Sequence, residues 1–250
     1  MRRFFIEKTD LIGSQAIISG PDAHHIKTVL RLKTGHAIVI IDGTGMEYTA
    51  RITGFPSGTV AVQVLEKNIC ETKSHVKITV AIGMLKDKKM DELVRRLTEL
   101  GVSCWAPFFA ARSVPRPDPR RLAARTVRWK KIAVEALKQC NRNHMPEIME
   151  PVAFKDTLSL ARGSDLKIIF WENQAPETVS SGPAFADQSC RKIFAMLGPE
   201  GGFTHKEIES ARSCGFISAS LGPRILRAET AALAAAVMMQ FIFGDMGKFA

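Results

Sequence analysis

The chain has 250 residues, 46% of them hydrophobic, which is enough for one large or two modest domains. Its formal net charge is +10. The five cysteines (Cys70, Cys104, Cys140, Cys190 and Cys214) are odd in number, and no two form a C-x-x-C. A disulfide scaffold and a structural zinc site are therefore not expected, and a reducing cytosol is the simple reading. After Arg2 and Arg3 only three apolar residues, Phe4, Phe5 and Ile6, precede the charge of Glu7, too few for a signal peptide. The longest apolar stretch, Ala231 to Gly244, contains Gln240 and is too short to span a bilayer, so no membrane partner is expected. It reads as a buried C-terminal helix.

The N-terminal third predicts a small β domain. Runs at 15–19, 37–41, 48–53 and 59–65 are rich in apolar and β-branched residues, and Gly and Pro signals such as 42–45 and 54–58 separate them. Short strands at this spacing suggest a compact barrel. One helical piece, Asp22 to Leu32, interrupts them, with Pro21 and Asp22 placed to open it and Ile26, Val29 and Leu30 as its apolar positions. A small basic cluster, Lys27, Arg31 and Lys33, is weak evidence for RNA. His24 and His25 have no Cys or carboxylate cluster beside them and read as a polar helix start, so no metal is implied. The polar stretch 68–75 marks the boundary, giving domains over 1–72 and 73–250.

From residue 76 onward, apolar strands alternate with helical patterns. Strands are expected at 76–83, 104–108, 148–152, 166–170, 193–197 and 217–221, with helices at 90–100, 119–139, 154–160, 204–213 and 225–243. Such alternation predicts an α/β fold, a mostly parallel sheet with helices on both faces. The proline-rich stretch 112–119 reads as a stiff loop, and 173–188 as a polar connection.

The positive charge is concentrated in the middle of the chain. Residues 1–72 carry 8 Lys/Arg against 7 Asp/Glu, residues 73–160 carry 18 against 9, and residues 161–250 carry 9 of each. Between Arg112 and Arg142 ten basic residues meet only Asp118 and Glu135. Arg121, Arg125, Arg128 and Lys131 share one face of the predicted 119–139 helix, and Leu122, Trp129, Ala133, Ala136 and Leu137 share another, the expected core face. A solvated helix face usually mixes signs, and here acidic partners at i±4 are nearly missing. A polyanion partner explains the imbalance better. With few aromatics interleaved, phosphate contact is expected more than base stacking. Engaging about four to six phosphates on single strands would give a salt slope of log K of roughly −3 to −4.

Two Gly-Pro segments near the C-terminus carry the chemistry. Leu197-Gly198-Pro199-Glu200-Gly201-Gly202-Phe203-Thr204 and Leu221-Gly222-Pro223-Arg224-Ile225-Leu226-Arg227-Ala228-Glu229-Thr230-Ala231 each follow an apolar strand and lead into a helix. Loops leaving the carboxyl ends of parallel strands build ligand sites. Gly201 and Gly202 leave backbone N–H and C=O groups open to a ligand, and Thr204 with Glu207 forms a capping box that starts the helix at Thr204. Neither G-x-x-x-x-G-K-[ST] nor G-x-G-x-x-G is present, so a nucleoside triphosphate or a dinucleotide is not the expected ligand.

These two segments, with Leu85-Lys86-Asp87-Lys88-Lys89-Met90, Glu99-Leu100-Gly101-Val102 and Gln139-Cys140-Asn141-Arg142 followed by Pro146, closely resemble the bacterial 16S ribosomal RNA uridine-N3 methyltransferases. These are knotted enzymes of the SPOUT superfamily that use S-adenosylmethionine. The resemblance runs nearly end to end. It implies a homodimer with a PUA-like RNA-binding β-barrel followed by a SPOUT-type parallel sheet tied in a trefoil knot, acting on 16S rRNA within the small ribosomal subunit. It further implies S-adenosylmethionine held at Leu197, Gly198, Glu200, Gly201, Gly202, Leu221, Gly222, Ile225, Leu226 and Arg227, with Thr230 and Ala231 lining the pocket. Arg142 and the Arg121 face are expected on RNA.

Methylating uridine N3 requires loss of its proton before or during attack. A general base could take it, or cationic groups could stabilise the uridinate. Arg227 is the first choice for stabilisation, Glu172 and Glu200 lie at strand ends, and Glu229 serves either in catalysis or as a structural partner of Arg227 or Arg224. Two rival readings share the RNA affinity: an RNA-binding assembly factor without catalysis, and a SPOUT methyltransferase acting on tRNA.

Overall fold

The computed structural model describes residues 2–69, 75–173 and 189–247, the side chain of Asp87 excepted. The chain divides into two compact units, 1–73 together with 137–145, and 74–136 together with 146–250.

The first unit is a six-stranded sheet, ordered β1-β4-β5-β6-β3-β2. Its strands are β1 (Arg3–Phe5), β2 (Leu11–Ile12), β3 (Gln15–Ile18), β4 (Ala37–Ile41), β5 (Met46–Gly54) and β6 (Val60–Ile69). Every pairing is antiparallel except β1 on β4. Alternation sends Ile18, Ile38, Ile40, Ile52 and Val62 into one core with Phe4 and Tyr48. Four successive residues of β4 are buried because its other face, Val39 and Ile41, is covered by Leu137. Burial, with the Asp42 carboxylate 3.0 Å away, pushes the Tyr48 hydroxyl up to about 12. The strands β1 and β2 were not expected from the sequence, because two or three residues cannot display a period.

The predicted 22–32 helix is shorter and irregular. It runs as α1 (Gly20–His24) and then as a π-helical turn, His25–Val29, closed by the Leu30 N–H on the His25 carbonyl. Gly20 sits at φ +61° with Pro21 in the first turn, so the helix starts earlier than Asp22. Arg31 then takes φ +51°, which ends it.

The second unit is a seven-stranded sheet in which all pairings are parallel. It comprises β7 (Lys77–Gly83), β8 (Cys104–Phe109), β9 (Glu147–Ile148), β10 (Val152–Ala153), β11 (Leu166–Phe170), β12 (Lys192–Leu197) and β13 (Ile217–Ala219). The order is β10-β8-β7-β12-β11-β13, with β9 also on β8. The helices are α2 (Asp87–Glu99), α3 (Pro119–Gln139), α4 (Phe154–Leu160), α5 (His205–Ser213) and α6 (Ala228–Ile242). The central strands are buried runs such as Ile193–Leu197, as a sheet covered on both faces requires. Trp129 of α3 meets Trp105 of β8 edge to face, with centroids 4.7 Å apart.

Four expectations change here. The strand expected at 148–152 is two short strands, because Pro151 between them has no N–H for a ladder. The strand expected at 217–221 stops at Ala219, and the helix expected from 225 starts at Ala228, since Arg227 is extended at φ −63°, ψ 149°. Residues 220–227 therefore form a long wall instead of a tight turn. The C-terminal helix is also not buried all round: Val237 and Phe241 are 42% and 62% exposed. The connection expected over 173–188 lies outside the described residues from 174 onward.

Candidate active site

Four neighbouring parallel strands, β13, β11, β12 and β7, end on the same side of the sheet, and the segments that leave them enclose one cavity of about 450 Å³. From β11 come Phe170, Trp171 and Glu172, from β12 Leu197 to Glu200 and Gly202, and from β13 Ser220 to Ala228, with Ala231 of α6. Lys89 of α2 reaches it from the β7 side.

Glycine is required where these segments approach one another. A Cβ on Gly83 would lie 2.6 Å from Pro199 Cδ and 2.7 Å from its nitrogen, so β7 and the loop after β12 touch through backbone. Gly202 has φ +65°, and a Cβ there would strike the Glu172 carboxylate. Gly222 turns the chain after β13 at φ +109°. The expected capping box is present: Glu207 Oε2 accepts from the Thr204 N–H and hydroxyl, each at 2.9 Å, and the Glu207 N–H donates to Thr204 Oγ1. Thr204 is the N-cap, and the first helical residue is His205.

The rim is charged and internally compensated. Lys89 Nζ lies 3.1 Å from Glu200 Oε1 and 3.1 Å from Glu229 Oε2, so one ammonium joins the β12 loop to the start of α6. The hydrogen bond to Glu200 holds the Lys89 ammonium above its ordinary range against burial, and Glu229 adds to it. Burial pushes the Glu229 carboxyl up, yet its own backbone N–H at the helix start, Lys89 and Arg227 together bring it below the carboxylate range.

Of the residues assigned to the cofactor from the sequence, Leu197, Gly198, Glu200, Gly202, Leu221, Gly222, Ile225, Leu226, Arg227 and Ala231 line the cavity. Gly201 and Thr230 do not; a Cβ on Gly201 would instead meet the Arg112 Cβ at 2.9 Å, on the outer side of the loop. Of the catalytic candidates, Arg227 and Glu172 line the cavity, and Glu229 meets it through Lys89. Lys89 and Trp171 were missed as site residues, although Lys89 stands in the quoted 85–90 motif and Trp171 directly follows β11.

The basic residues fall in both units. Arg121, Arg128 and Lys131 are exposed on α3, and Arg125 is half-buried. Two of these arginines find acidic partners outside the i±4 spacing. Arg128 Nη2 lies 2.6 Å from Asp91 Oδ2 of α2, and Arg121 Nε lies 3.3 Å from Asp118 Oδ2. A partner on another helix cannot be seen in i±4 spacing. Trp129, Ala133, Ala136 and Leu137 are buried as expected, and Leu122 partly so. In the first unit Lys27 lies 5.9 Å over the Phe55 ring, Arg31 is exposed, and Arg142 is half-buried. Among the described residues no cluster of His, Cys, Asp or Glu could hold a metal ion, and no helix is long and apolar enough to cross a membrane.

Comparison with known proteins fits this anatomy. Residues 72–240 match an RNA methyltransferase domain, and residues 18–65 match an RNA methyltransferase PUA domain. The fold and the strand-end cavity thus define an RNA methyltransferase of SPOUT type preceded by a small PUA-like β unit, the expected fold class. The ribosomal RNA small subunit methyltransferase E of Bacillus subtilis is 32% identical over 239 residues, covering 93% of each chain. The enzyme of that name from Neisseria gonorrhoeae, solved bound to S-adenosyl methionine, superposes with a TM-score of 0.87 at 29% identity, covering 98% of this chain and 99% of that one. A Legionella pneumophila structure described as a putative methyltransferase with bound cofactor SAM gives 0.88 at 30% identity, covering 98% of both. The chain belongs to the ribosomal RNA small subunit methyltransferase E family.

Proposed function

We propose that the chain transfers a methyl group from S-adenosylmethionine to N3 of a uridine in 16S rRNA of the small ribosomal subunit. The observation that carries this reading is the cavity of about 450 Å³ walled by the two glycine loops. Its volume falls in the range of small-molecule sites. Backbone groups at Gly198, Leu221 and Leu226 and the Gly202 carbonyl would hold the cofactor, and the Glu172 carboxylate, packed against Gly202, lines the same cavity. When bound, S-adenosylmethionine supplies a methyl group made electrophilic by its sulfonium.

The chain's own residues do the remaining work. Arg227, at the rim, stabilises the uridinate formed as N3 loses its proton. Lys89, Arg224 and Arg227 together offset Glu172, Glu200 and Glu229, so the mouth of the cavity does not repel an RNA strand. Arg121, Arg125, Arg128, Lys131, Arg142, Lys27 and Arg31 contact phosphate. In this reading residues 1–72 form an RNA-binding unit and residues 73–250 the methyltransferase.

The reading includes a homodimer. Val237 and Phe241, four residues apart on α6, present an apolar stripe, and Met246 beyond it is 40% exposed. A second copy would cover this stripe. Light scattering on the purified protein should give twice the chain mass, and V237D with F241D should give a monomer.

The deciding experiment supplies purified protein and labelled S-adenosylmethionine to small subunits lacking native methylation, with tRNA alongside. N3-methyluridine appearing only in small-subunit RNA supports the proposal. Label in tRNA alone, or in neither RNA, overturns it.

A further inference from the structure

The outer face of the first glycine loop is occupied by the start of the basic segment. Arg112 Nη1 donates to the Gly201 carbonyl at 2.9 Å and to the Phe203 carbonyl at 3.4 Å. The Gly201 Cα faces the Arg112 Cβ so closely that an added Cβ would leave only 2.9 Å. One residue earlier, the Ala111 N–H donates to Glu207 Oε1 at 2.8 Å, and the other oxygen of that buried carboxylate holds Thr204. Residues 111–112 are thus fastened to both ends of 201–204, while Gly198 and Gly202 of the same loop line the cavity.

Arg112 uses only Nη1 for these contacts. Its side chain is exposed, and among the described residues Nε and Nη2 donate to no protein group. Guanidinium is planar, and its remaining edge can take a phosphate without releasing the two carbonyls. We propose that Arg112 is a phosphate-binding residue for the substrate RNA and, through Gly201 and Phe203, a positioning residue for the cofactor loop. A phosphate on its open edge restrains the guanidinium, and the restrained guanidinium holds the loop in its binding shape. RNA and cofactor then tighten each other's binding, reciprocally. This rests on the function proposed above.

Calorimetry on the full chain tests it, with S-adenosylmethionine titrated in the presence and absence of a 16S rRNA transcript, and RNA affinity measured across a salt series. Wild type is expected to bind the cofactor about tenfold tighter with RNA present. R112M should lose this coupling, bringing the ratio near one, and should reduce the magnitude of the salt slope by about 0.7. R112K keeps the charge but not the planar fork, so it should restore the slope and not the coupling. Should R112M fail to fold, R112K alone decides: restored slope without coupling supports the proposal, and wild-type coupling overturns it. No coupling in wild type overturns it, as does coupling kept in R112M. Weakened cofactor binding in R112M with an unchanged salt slope also overturns it, leaving Arg112 a structural clamp. Failure of the wild type to bind S-adenosylmethionine at all would instead sink the proposed function, before any variant is made.

Discussion

Glu229 and Lys89 show how one contact at the rim sets a dependence on pH. The Glu229 carboxyl is held below its ordinary 4.5, so its stabilising contribution is present above about that pH and is lost as pH falls through the lowered value. The Lys89 ammonium is held above its ordinary 10.5, so its contribution is present below that pH and is lost as pH rises through the raised value. Both groups are about a third or less exposed, and the pair is worth no more than about 1 kcal/mol. Thermal melts between pH 5 and 3 should therefore show E229Q losing stability less steeply than wild type. Cys104 offers a second test at this scale. Burial, and then the nearby Glu147 carboxylate, pushes its thiol up to about 12. In the native protein at pH 8, iodoacetamide should label exposed Cys214 and leave Cys104 unmodified by mass spectrometry. Gly202→Ala would place a methyl against the Glu172 carboxylate at a positive φ, costing about 1–2 kcal/mol in urea unfolding and weakening cofactor binding in calorimetry.

At the scale of elements, the two functional assemblies differ in how they are held. The cavity is built from segments following four adjacent strands, and β12 at their centre is paired on both sides over its length. Glu207 couples α5 to the turn after β8 through the Ala111 N–H. E207A removes the reciprocal half of the capping box and leaves the partly buried Thr204 and Ala111 N–H groups without their acceptor, so it should lower stability by about 1–2 kcal/mol, read from the urea midpoint. The basic face of α3 is a surface assembly, in which the exposed Arg128 also pairs with Asp91. R121Q combined with K131Q should weaken RNA binding and flatten its salt dependence while leaving the melting temperature within a degree or two.

Over the whole molecule, much of the organisation was legible in the residues. The strand 166–170 and the helices 119–139 and 154–160 have the expected bounds, because apolar runs and helical periodicity report directly on burial. The Thr204 cap was readable because both partners lie within four residues. Pro151 marked the break at 147–153, whereas the extended 225–227 segment and the Arg128–Asp91 pair were not readable. Each is settled by atoms distant in sequence, or by a backbone choice that several patterns tolerate. The cofactor loops could be located from their glycines, but not which side each glycine serves: Gly202 faces the cavity and Gly201 faces Arg112. The trefoil knot implied by the resemblance is a property of the chain's whole path, and no local period encodes a path. The sequence by itself determined the alternation of strands and helices, the capped turn and the place of the charge. Only the tertiary structure decided which loops meet, which cations find a partner and which glycine lies against the cavity, because these depend on distances between segments that the chain order leaves open.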